Sequence, residues 1–212
     1  MTGRNAILAS TAALALAATP AVAQDASGTY RADLQTMNFD TTGRTTTGSA
    51  SVEVSGDTVT FRVEAMGAPP DMMHLQHIHG FAEGSATSGC PSMDADTNAD
   101  GVIDVIETEP VAGLTMVPFH DDPLSMQIVA ESYPVADAAG SYIYERSVPL
   151  ADLRTAFAEA FPGQELDFDR RVVFIHSVPA DTDLPDSVQS LGDVPAHVTL
   201  PIACGEIRTA SG

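Results

Sequence analysis

The chain has 212 residues, 44% of them apolar and 18% charged, which is enough to bury a core and too ordered in composition for a disordered tail. Its formal net charge is −20 and every basic residue is arginine, so phosphate backbones and anionic lipid surfaces are expected to repel it. Nucleic acid and membrane surfaces are therefore poor partners, metal cations natural ones, and much of the acidity reads simply as a solubility device.

Residues 1–23 read as an export signal: Arg4 gives the positive start, Ala6 to Ala18 an apolar centre, and Ala21-Val22-Ala23 the small-residue cleavage site. The apolar run is too short to span a bilayer, so no membrane span is expected and the location is periplasmic or secreted. The remainder, 24–212, reads as one domain with an insertion around 91–114.

An exported chain with two cysteines, Cys90 and Cys204, is expected to pair them. The alternative is two free thiols on a metal, although neither lies in a Cys-x-x-Cys pair.

From Thr29 the pattern is mainly strand. Residues 49–54 and 58–64 alternate apolar and polar around Ser55-Gly56-Asp57, the signature of a hairpin. A break at Pro69-Pro70 precedes residues 72–81, and further strands are expected over 115–120, 125–131, 141–148 and 171–177. Leu150, Leu153, Phe157 and Phe161 recur at helical steps before Pro162-Gly163, which predicts one short amphipathic helix. Residues 180–195 form a long polar loop. The fold class expected is all-β, a Greek-key sandwich or barrel with one short helix and an inserted cation-type loop.

Residues 96–107 match the twelve-residue EF-hand loop. Asp96, Asn98 and Asp100 offer side-chain oxygens, Val102 its carbonyl, Asp104 a direct or water-mediated ligand and Glu107 two oxygens, while Gly101 permits the turn. Calcium is the expected cation, in a stabilising role. With Gly89 and Pro91 upstream and Pro110 soon after, the flanking helix pair is expected to be missing; the alternative is an acidic turn that binds nothing.

His77 and His79 sit two apart, so a strand points both imidazoles to one side, an arrangement suited to copper or zinc. His74 would face the opposite way and reads as structural or exposed. Met72 and Met73 read as packing residues, and no Gly-x-Ser-x-Gly elbow or phosphate-cradling loop is present.

The run His77-Ile78-His79-Gly80-Phe81, Cys90 eleven residues after His79, the segment Arg171-Val172-Val173-Phe174-Ile175-His176 and the late Ala203-Cys204-Gly205 occur in that order. Together they resemble a divergent member of the copper/zinc superoxide dismutase superfamily. The resemblance implies copper ligation by His77, His79 and His176, a Cys90–Cys204 bridge, and a redox-active site. His120 is the candidate for the family's bridging histidine by position alone. No full zinc site is assembled, Asp121 and Asp122 reading as a solvated loop, and His197 reads as a surface residue. The family's substrate-guiding arginine is replaced by Pro201, three residues before Cys204. The competing reading is a non-catalytic module similar to chordin-like (CHRD) domains, stabilised by calcium.

Overall fold

The computed structural model describes residues 27–128 and 131–210. The signal expected over 1–23 lies outside the described residues. Nine strands form the framework: β1 (Gly28–Thr36), β2 (Thr47–Ser55), β3 (Thr58–Met66), β4 (Gln76–Gly80), β5 (Leu114–Pro118), β6 (Tyr142–Pro149), β7 (Val172–His176), β8 (Pro201–Glu206) and β9 (Arg208–Thr209). Helical segments are short: α1 (Phe39–Thr42), α2 (Val105–Ala112), α3 (Leu150–Ala160) and α4 (Ala196–Thr199).

The expected hairpin forms β2 and β3, whose last pair, Ser55 with Thr58, leaves Gly56 and Asp57 as the turn. Gly56 takes φ 57°, a backbone conformation that glycine adopts without a Cβ clash. Alternation is then read out as burial, with Ala50, Val52 and Val54 of β2 and Val59, Phe61, Val63 and Ala65 of β3 all turned inward.

The strand order is β5-β4-β7-β8-β1-β2-β3-β6, antiparallel throughout, with β9 paired to β1. β1 joins the two halves: Gly28 to Leu34 pair with β2, and Gln35 and Thr36 pair with β8. The sheet curls into a half-barrel, an all-β fold as expected. Inward side chains from both halves, among them Leu34, Val52, Phe61 and Val63 opposite Ile78, Val173, Ile175 and Ile202, build the main core. α3 packs Leu150, Leu153 and Phe157 against it at the spacing read from the sequence.

β4 and β7 are buried at every position, unlike the alternating strands of the other half. Their inner face joins the main core through Ile78, Val173 and Ile175. Their outer face carries Val172 and Phe174 under a second cluster that includes Ile103 and Ala112. The insertion around 91–114 is thus the cover that makes this half of the sheet two-sided.

Two expectations fail locally. No strand forms over the described part of 125–131; Pro123 opens a 3₁₀ turn ending at Ser125, and Met126 at φ 52° leaves extended geometry altogether. The helix thought to be missing after the acidic loop exists as α2. Pro110 sits inside it, but in the last turn, and the first turn is held by a capping box: Asp104 accepts from the amides of Ile106 and Glu107, and Glu107 accepts from the amide of Asp104. No helix among the described residues is long and apolar enough to cross a membrane.

Candidate metal centre

The register between β4 and β7 explains how distant histidines meet. His77 pairs with Phe174 and His79 with Val172, so the side chains of Val172, Phe174 and His176 share the face that carries His77 and His79. Irregularities between Ile78 and His79 and between Ile175 and His176 re-aim the strand ends. Ser177 follows at φ 93°, a strained conformation for a residue with a Cβ, held by its amide to the Leu200 carbonyl and its hydroxyl to the Val198 carbonyl.

Among the described residues, His77, His79 and His176 form a group with one ring nitrogen from each lying within 4.8 Å of the others. All three are buried, and the His77 and His176 rings are 4.9 Å apart. Both nitrogens of His77 and Nε2 of His176 are buried and have no hydrogen-bond partner among the described residues. Unpaired buried polar atoms are uncommon because each costs about 1–3 kcal/mol. One nitrogen from each of the three rings, turned toward the same space, makes a donor set for a metal ion, and the residues fit one that prefers imidazole.

Neighbouring backbone groups fix the rings. His176 Nδ1 lies 2.8 Å from the Thr199 carbonyl, which places the proton on Nδ1 and leaves the Nε2 lone pair free. His79 Nδ1 is 3.4 Å from the Gly113 carbonyl, and its Nε2 is 3.2 Å from Thr115 Oγ1, whose hydroxyl can rotate away. A Cβ on Gly113 would stand 2.2 Å from the Gly80 carbonyl oxygen, so only glycine lets the end of α2 approach β4 this closely. Phe174 fills the space between His79 and His176, with ring centroids 4.6 Å and 5.7 Å away.

Burial, reinforced by the His176 charge, pushes His79 down to about 3 against the opposing Gly113 carbonyl. Burial likewise takes His176 down to about 4, opposed by the Thr199 carbonyl. His77 falls well below the ordinary imidazole value through burial and then the charges of His176, His79 and His120. All three rings are consequently neutral at pH 7, the form that binds metal.

The other sequence candidates lie elsewhere. His120 is buried near the group but has both nitrogens engaged, Nε2 with the Gln127 carbonyl and Nδ1 accepting from the Asp122 amide. The Tyr133 ring stands edge-on to both His120 and His77. Asp121 pairs with Arg146. His74 is fully buried, its two nitrogens facing the carbonyls of Pro69 and His176, so it supports the β7 end from behind. His197 bonds the Thr182 carbonyl.

The acidic loop is closed by its own amides. Asp96 accepts from Asp100 and Gly101, Asn98 from Asp100, and Asp100 from Val102, while Glu107 Oε1 accepts from Thr97 and Asn98. Val102 is buried in the main core. Two contacts tie the 180–195 loop to this one: Ser187 donates to Asp100 at 2.6 Å and the Gln189 amide to Asp104 at 2.7 Å. Cys90 and Cys204 are disulfide-bonded, with Cα atoms 5.8 Å apart, fastening the entrance of the insertion to β8.

Sequence reading reached the three ligand-type histidines but not Gly113, Thr115, Tyr133 or Thr199. Gly113 had a signal in retrospect, as a glycine ending a capped helix; the Thr199 contribution is a backbone carbonyl and leaves no trace in residue type. No family model matches the chain, and no curated protein matches it.

Proposed function

We propose that this is an exported metal-binding protein whose His77, His79 and His176 hold a redox-active copper in the manner of the superoxide dismutase superfamily. The observation that carries the reading is the convergence of three buried, neutral imidazoles, two of them with nitrogens lacking any partner. The all-β half-barrel and the Cys90–Cys204 bridge support the family resemblance, and the bridge supports an oxidising compartment. Copper in this position supplies one-electron chemistry. The chain's part is to fix the His176 and His79 rings through the Thr199 and Gly113 carbonyls, to exclude bulk water with Phe174 and Tyr133, and to keep the ligands neutral.

A second reading, a non-catalytic CHRD-like module stabilised by calcium at Asp96, Asn98, Asp100, Val102, Asp104 and Glu107, is favoured by Pro201 standing where the guiding arginine belongs. The helix leaving the acidic loop also supports a calcium role, since half of the EF-hand frame is present.

Elemental analysis of protein from the exported fraction, then spin resonance and superoxide decay on the copper-loaded form, tests both. One copper per chain with nitrogen hyperfine structure and accelerated decay supports the first reading. Copper without accelerated decay selects the second, and a chain that takes up no copper overturns the first.

A further inference from the structure

Resting on the copper reading, the structure points to a ligand class for the pocket beside the centre: we infer that its walls take a small, uncharged, largely apolar molecule. The way in is a pocket of about 320 Å³ that reaches His77 and His176. Its walls are Leu75, Val105, Leu114, Ile128, Leu191 and Val194, completed by two threonines, and none of the described residues lining it is charged. Ligand sites of this kind hold their occupant by apolar contact and orient it with a few polar atoms. Here the polar side chains of the walls are Thr115 and Thr199, beside His77 and His176.

Two physical points favour an uncharged occupant along these walls. Stripping water from a charge against aliphatic walls costs several kcal/mol unless a partner is supplied, and along the walls, short of the metal, no described residue supplies one. Leu114 and Leu191, both more than two-fifths exposed, make the mouth apolar as well. For size, a cavity of about 150 Å³ lined by aliphatic groups already admits benzene, so the space suits a molecule of one or two rings.

The probe set for the copper-loaded full chain is imidazole, 4-phenylimidazole and azide, followed by visible and spin-resonance spectra of the metal. The expected result is 4-phenylimidazole binding at least 10-fold tighter than imidazole, with azide weakest. Leu191→Asp, at the exposed rim, should cut that preference to under threefold while leaving copper content unchanged. Equal affinity for the two imidazoles, or azide binding first, overturns the inference while the copper reading stands. A chain that holds no copper overturns the copper reading instead. In that protein the pocket is read by the shift of the His77 and His176 ring-proton signals on adding toluene: a saturable shift supports an apolar-ligand pocket, and no shift overturns it.

Discussion

The trihistidine centre and the acidic loop are both built from groups able to hold a cation, yet they are prepared in opposite ways. At the centre the backbone orients the rings and leaves ligand nitrogens without partners. In the loop the backbone occupies the ligand oxygens themselves, each of Asp96, Asp100, Asp104 and Glu107 already accepting from amides. Strand positions leave ring nitrogens unpaired, whereas the turns of the loop bring its own amides onto carboxylates, of which Asp104 and Glu107 are also buried. A cation at the centre relieves an unpaired state; a cation in the loop must compete with hydrogen bonds already made.

The tether between these regions should give the largest effect. The bridge closes 114 residues, and the loop-entropy estimate for that length is about 5 kcal/mol. Cys90→Ser with Cys204→Ser should lower the urea stability by about 2–5 kcal/mol, and metal affinity should fall too, because Cys204 lies on the strand paired to β7. Unchanged copper affinity in the folded double variant would show that the two regions are independent.

Removing a ring nitrogen comes next. His176→Ala should weaken copper by about 100-fold or more, exceeding what loss of a supporting contact costs, and Glu107→Gln should leave it unchanged. Comparable losses in the two variants, measured by competition with a chelator of known affinity, would erase the distinction drawn between the sites.

Much of this was legible in the chain because it rested on period. The β2–β3 hairpin and α3 follow from alternation and helical spacing, and His77 with His79 follow from the two-residue repeat of β4. What brings in His176 is the β4–β7 register, a long-range pairing that local pattern does not encode, so only family resemblance could suggest it. The strand expected over 125–131 does not form in its described part, where Pro123 and the left-handed Met126 turn the chain. α2 was hidden by Pro110, whose cost is small in a last turn where the Asp104–Glu107 box has already secured the first. His120 was assigned on position, and the structure gives both its nitrogens other work.

Acid should separate the regions through the copper-free protein. His79 at about 3 and His176 at about 4 lie below the unfolded value near 6.5, so the unfolded chain binds more protons once the pH falls below that value. The stability associated with each neutral ring is therefore complete above pH 6.5 and declines toward pH 4, by up to about 1.4 kcal/mol per pH unit per ring. Urea midpoints at pH 7, 6, 5 and 4 should fall steeply, and His176→Gln should flatten the slope. A slope equal in wild type and variant would mean that the centre is not the acid-sensitive element.

The smallest effect falls on the loop. Glu107 Oε1 holds Thr97 and Asn98 while Oε2 holds the amide of Asp104, so it ties the start of the loop to the start of α2 without any cation. Glu107→Gln keeps one acceptor oxygen and should cost about 1 kcal/mol in the presence of chelator. At 5 mM calcium, a site of the extracellular class should raise wild-type stability by about 1 to 2 kcal/mol and leave the variant almost unmoved, since the amide cannot offer two anionic oxygens. The gap between wild type and variant should therefore widen with calcium. A gap that stays constant across the titration would mean that the amides of the loop are its whole purpose, and that the carboxylates serve to cap α2 and to moor the 180–195 segment through Ser187 and Gln189.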